Sequence, residues 1–134
     1  LKSYLVNFAR SFIYTTGLSP HALATIITAY AHLQHQNGAQ LSLRANIVHF
    51  NQTKNLLGLK PLFVYSKSAI QCAIVPGNEK AKTLAAQLRE QGFDVRAILS
   101  PTVPSGQERL RICLHSYNTL AEISVTLEQL QQRL

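Results

Sequence analysis

Arg109-Leu110-Arg111-Ile112-Cys113-Leu114-His115 is the stretch that decides the fold. Apolar and polar side chains alternate along it, the period of a strand with one face in a core and the other turned away. Leu110, Ile112 and Leu114 make the core face, and Arg109, Arg111, Cys113 and His115 share the opposite one. An apolar face of this kind needs helices against it, and both flanks supply them. Downstream, Thr119-Leu120-Ala121-Glu122 has the form of a capping box. It opens a helix with Leu120, Ile123, Leu127, Leu130 and Leu134 on one side. Upstream, Ser100 to Glu108 is a loop carrying Pro101, Pro104 and Gly106, and before it Phe93, Val95, Ala97 and Leu99 alternate as another strand. Gly92 closes a helix whose apolar face is Ala81, Leu84, Ala85 and Leu88, with Asn78 of the Pro76-Gly77-Asn78 turn as its expected N-cap. Ile70, Cys72 and Ile74 alternate with Gln71, Ala73 and Val75, which reads as a strand buried largely on both faces. From Ala69 onward the order is therefore β-α-β-β-α. The expected fold is α/β of the α+β type: a small antiparallel or mixed sheet with helices on one face.

Working back from the sheet, the first part of the chain reads as two helices. Leu1 to Ala9 resembles the tail of a helix, and Ser11 to Thr16 is short and β-prone. Ser19-Pro20 marks a helix start, with Leu23, Ile26, Ile27, Tyr30 and Leu33 at helical spacing and Asn37-Gly38 as a stop. A second helix is predicted from about Gln40 to Leu57. Its wide apolar face suits contact with more than one surface. The expected division is residues 1–58 as a helical segment and 59–134 as a small α/β domain.

Composition narrows the functional classes. The 134 residues are 46% hydrophobic, enough for a core. No apolar run approaches the roughly 18 residues of a membrane span. The first residues lack the pattern of a secretory signal, so a cytoplasmic location is expected. There is no methionine, and the chain reads as a fragment or a processed product. The net charge of +7 is uneven. Lys2, Arg10, Arg44, Lys54, Lys60 and Lys67 precede Asn78 without a single acid, whereas the acids all follow. These cations are scattered and no aromatics are interleaved for base stacking, so packing against an acidic surface is favoured over nucleic-acid binding. Cys72 and Cys113 are expected as buried reduced thiols. His32 and His35 have a spacing that metal ligands use, but no cysteine or carboxylate stands near them, and no metal site is expected.

Two features carry potential chemistry. Arg111 sits in mid-strand on the face away from the helices, where a planar guanidinium fork can grip a carboxylate in bidentate fashion or simply be solvated. Thr15 and Thr16 precede Gly17 and a helix start, a position suited to contacting phosphate and equally ordinary at a strand end. On these grounds alone, a module binding an amino acid for regulation, or RNA through its basic half, stays open.

Two longer strings narrow the choice. Arg10-Ser11-Phe12-Ile13-Tyr14-Thr15-Thr16-Gly17-Leu18-Ser19-Pro20 and Ser100-Pro101-Thr102-Val103-Pro104-Ser105-Gly106-Gln107-Glu108-Arg109-Leu110-Arg111-Ile112 together resemble the α-oxoamine synthases, fold-type-I pyridoxal-phosphate enzymes. The resemblance covers essentially the whole chain and implies the C-terminal part of such an enzyme, with the large cofactor domain outside these residues. It implies decarboxylative condensation of an amino acid, alanine in the favoured case, with an acyl thioester such as pimeloyl-CoA or its carrier-protein equivalent. It implies that Arg111 grips the amino-acid carboxylate, and that Thr15 and Thr16 reach the cofactor phosphate of the neighbouring subunit of a homodimer. Gly17 departs from the serine of many relatives. The family's Schiff-base lysine precedes the first string and has no counterpart here, Lys2 being too close to Thr15. No catalytic residue is therefore expected in this chain and no activity from it alone.

Overall fold

The computed structural model describes residues 1–13, 16–35 and 37–134. Six helices and three strands are formed among them. The chain divides into two compact units, Leu1–Asn37 and Gly38–Leu134.

The first unit holds α1 (Lys2–Phe8), α2 (Arg10–Ile13) and α3 (Pro20–His35). None of the three has a buried residue. The β-prone reading of Ser11 to Thr16 gives way to helix over its first residues. The Phe12 and Ile13 N–H groups both donate to the Ala9 carbonyl. A strand needs a partner for its backbone groups, whereas a helical turn closes them on itself. α3 starts where the Ser19-Pro20 signal places it, and the Ala22 N–H donates to Ser19 Oγ at 3.2 Å.

The second unit begins with α4 (Asn37–Leu56), followed by β1 (Ile70–Ile74), α5 (Asn78–Glu90), β2 (Arg96–Ile98), β3 (Arg109–Cys113) and α6 (Leu120–Gln131). The sheet order is β1-β3-β2, both pairs antiparallel. This is the expected β-α-β-β-α order. The central strand β3 buries Leu110 and Ile112, and Leu114 just beyond it, against α5 and α6. Leu84, Leu88, Leu127 and Leu130 supply the helix side of that core. At about 25 cal/mol per Å² of apolar surface, each such side chain contributes roughly 1.5–3 kcal/mol on burial.

Within the second unit, α4 is locked to the sheet by polar contacts. Asn46 Nδ2 donates to the carbonyls of His115, at 2.9 Å, and Asn118, at 2.8 Å. His49 Nε2 lies 3.1 Å from the Leu120 carbonyl and 2.9 Å from Ser124 Oγ. Gln131 Nε2 donates to the Leu57 carbonyl. Phe50 completes the contact by entering the core, edge-on to Phe63.

Three further expectations are corrected. β1 is buried on one face only: Gln71, Ala73 and Val75 face inward, while Ile70, Cys72 and Ile74 lie half-buried or exposed on the face that no helix of this unit covers. Cys113 is exposed rather than buried. Gly77, not Asn78, is the N-cap of α5. Asn78 instead holds the loop before β3 at its start, accepting from the Ser100 N–H at 2.9 Å and donating to the Ser100 carbonyl at 3.2 Å.

A candidate carboxylate-binding face

The inward alternation of β3 fixes what its other face presents. Cross-strand register sets Cys72 opposite Arg111 on one side and Arg96 opposite Arg111 on the other. Ile74 and Ile98 flank Arg109, and Ile70 faces Cys113. Directly opposed residues of antiparallel strands project to the same side. The open face is therefore a row of Cys72, Arg111 and Arg96, bordered by isoleucines. Arg111 is exposed there, and its guanidinium has no hydrogen bond or ion pair within the described residues.

Two anchors hold β3 in this register. At its start, the Glu108 carboxylate accepts the Gly77 N–H at 2.9 Å and the Glu108 carbonyl accepts the Val75 N–H. At its end, the Leu114 N–H donates to Ala69, and Asn118 Oδ1 accepts the His115 N–H at 2.7 Å. A slip of one residue would send Arg111 into the helices, because side chains alternate with period two. Glu108 is only 3% exposed and has no cationic partner among the described residues. The Gly77 N–H, followed by its own and that of Gly106, holds its carboxyl below the usual carboxylate range.

Arg111 and Arg96 line a pocket of about 460 Å³ that opens where β2 stops pairing with β3. Asp94, Cys113, His115 and Tyr117 line it as well, with Phe50, Ile112 and Ile123 among its apolar walls. The rings of His115 and Tyr117 stack with centroids 4.9 Å apart. Arg96 Nη2 donates to Asp94 Oδ2 at 2.9 Å. On the Arg111 row, burial pushes the Cys72 thiol up, with Arg109 and Arg111 opposing that shift. A raised thiol is a poor nucleophile at neutral pH, whereas a guanidinium fork on the same face has the geometry to grip a carboxylate.

Arg111 lies where the strand alternation places it. Thr16 is exposed, between the end of α2 and the start of α3. Thr15 lies outside the described residues. Arg96 and Asp94 escaped the sequence reading, since a single sequence shows alternation but not which residues of two strands stand opposite. Tyr117 escaped it because it lies in the turn after β3, beyond the alternating stretch.

The chain matches the family described as aminotransferase class I and II over residues 1–129. It is 37% identical to an 8-amino-7-oxononanoate synthase of Emericella nidulans over 95% of its own length and 32% of the relative's. A crystal structure of 8-amino-7-oxononanoate synthase from Francisella tularensis superposes with a TM-score of 0.76 at 33% identity, covering 98% of this chain and 38% of that one. A serine palmitoyltransferase variant from S. paucimobilis with a bound PLP–myriocin aldimine superposes with a TM-score of 0.75 at 25% identity, covering 98% and 33%. The chain thus spans about a third of the length of the curated relatives it matches.

Proposed function

Since the chain belongs to the aminotransferase class I and II family, and within it to the α-oxoamine synthases, we propose that it is the C-terminal portion of a pyridoxal-phosphate acyltransferase that condenses L-alanine with a pimeloyl thioester to 8-amino-7-oxononanoate in biotin biosynthesis. The observation that carries the reading is Arg111: a guanidinium fixed on the open face of the sheet, in a pocket, with no ion pair among the described residues. Its role is to bind the amino-acid carboxylate in bidentate fashion and so orient the substrate's Cα. Phe50, Ile112 and Ile123 give the pocket apolar walls beside that contact.

Pyridoxal phosphate, when bound, supplies the electron sink for breaking a bond at the substrate's Cα. Among the described residues no lysine lines the Arg111 pocket, so its donor set fits the substrate's carboxylate and not a covalent anchor for the cofactor. The Schiff-base lysine would come from polypeptide outside these residues, and the chain alone would be inactive. Thr15, with Thr16 beside it, would contribute hydroxyls to the cofactor phosphate across the interface of a homodimer.

The test uses the full-length enzyme with pyridoxal phosphate, whose visible absorbance alanine should perturb. Arg111→Ala should weaken alanine binding by about 10- to 150-fold, the loss of a charge-assisted contact worth roughly 1.5–3 kcal/mol. An alanine titration unchanged by that substitution would end the reading.

A further inference from the structure

The strand next to Arg111 carries a second cation, and its placement sets a limit on what the pocket can accept. We propose that Asp94 and Arg96 act as a charge gate that restricts the Arg111 pocket to ligands bearing one carboxylate, so that small neutral amino acids are accepted and dicarboxylic ones are disfavoured. This rests on the reading of Arg111 as the carboxylate anchor.

Arg96 and Arg111 are direct cross-strand partners on the open face, a relation that brings Cβ atoms to roughly 4.5–5.5 Å. Both line the same pocket. Two guanidiniums at that spacing would favour a ligand with two carboxylates, and like charges directly opposed also weaken a strand pair. Asp94 answers both problems. Its Oδ2 accepts Arg96 Nη2 at 2.9 Å, which compensates the second cation and places a negative charge in the pocket lining. Among the described residues, the one other acid lining the pocket is Glu122. Its Oε2 is committed to the Thr119 N–H at the start of α6, 2.8 Å away. Arg111 is left as the lining guanidinium with no acid against it. A second carboxylate on a ligand would meet a cation already compensated and the Asp94 charge beside it. Discrimination of this kind comes from repulsion of the wrong ligand rather than added contacts to the right one.

The side chains of Arg96 and Asp94 are 58% and 63% exposed. The pair therefore contributes little to folding, and Asp94→Asn should leave the fold intact. In the full-length enzyme, propionate and malonate are titrated by calorimetry against wild type, Asp94→Asn, the double variant Asp94→Asn with Arg96→Gln, and Arg111→Ala. Asp94→Asn should raise the affinity for malonate relative to propionate by on the order of fivefold, the scale of one exposed charge pair. The added Arg96→Gln should remove that gain, and Arg111→Ala should weaken both ligands. If Asp94→Asn changes both affinities equally or not at all while Arg111→Ala abolishes propionate binding, the gate is overturned and the anchor stands. If propionate binds Arg111→Ala as well as wild type, the anchor fails and the gate with it.

Discussion

Residues 38–134 and residues 1–37 are built from similar raw material and end in opposite conditions. Both contain helices with apolar stripes. In the longer unit the stripes of α5 and α6 close on β3, and Leu88, Leu110, Leu127 and Leu130 are fully buried. In the shorter unit Leu23, Ile26, Ile27, Tyr30 and Leu33 form an equally regular stripe on α3, yet all remain exposed. Periodicity reports that a helix has a face to bury; it carries no information about what the face is buried against. The longer unit owns its partner surfaces. Among its described residues the shorter one leaves its stripe uncovered, as expected if these residues belong to a larger enzyme.

The sharpest test of that difference pairs one substitution from each unit. Leu110→Ala should destabilise the chain by about 2–5 kcal/mol, the cost of a core cavity. Ile27→Ala, at an equally apolar position of α3, should shift it by no more than about 0.5 kcal/mol. Urea unfolding of both variants reads the two costs. Similar costs at the two positions would mean that α3 is packed in solution and that the contrast is false.

A smaller effect probes how α4 is held to the sheet. α4 belongs to the sheet domain because Asn46 ties it to the turn after β3 through two carbonyls. Asn46→Ala leaves those acceptors unmet at a cost of about 1–3 kcal/mol, and hydrogen exchange should quicken along α4 before it does in β3. Uniform quickening would show that α4 and the sheet unfold as one and that Asn46 is no separate clamp.

Such clamps mark the limit of what the sequence disclosed. The Thr119–Glu122 capping box forms as its spacing required, with the Thr119 hydroxyl accepting Glu122 N–H and the Glu122 carboxylate accepting Thr119 N–H. The alternation of β3 placed Arg111 on the open face, because period-two patterning is a local property. Buried polar residues have no such signature. Asn46 and Lys54 lie on α4 among ordinary polar positions, yet both are buried. Lys54 Nζ donates to Asn51 Oδ1 at 2.7 Å and lies over the Phe50 and Phe63 rings. Asn37-Gly38 read as the stop of one helix, and α3 ends at His35, but α4 starts at Asn37 rather than near Gln40, since a glycine that ends one helix can equally stand in the first turn of the next. Partners distant in sequence decide such positions, and the Asp94, Arg96 and Arg111 grouping was hidden for the same reason.

The smallest expected effect concerns the anchor that sets which face Arg111 occupies. Among the described residues Glu108 pairs with no cation; backbone N–H groups, that of Gly77 foremost, hold its carboxyl low. A carboxyl whose folded pKa lies below its unfolded value contributes stability that is present above the unfolded pKa, near 4.3. That contribution is lost as the pH falls through the folded value, because protonation then favours the unfolded chain. Glu108→Gln keeps an acceptor for the Gly77 N–H but removes the charge. The variant should therefore unfold at lower urea than wild type at about pH 6, and the two midpoints should converge as the pH is taken below about 4. Residues 1–37 contain no acid at all, so acid-dependent stability of this origin must reside in the sheet unit. A constant gap between the midpoints across that range would show that Glu108 acts through its shape alone, leaving the register of β3 to the Asn118 end and to the buried leucines.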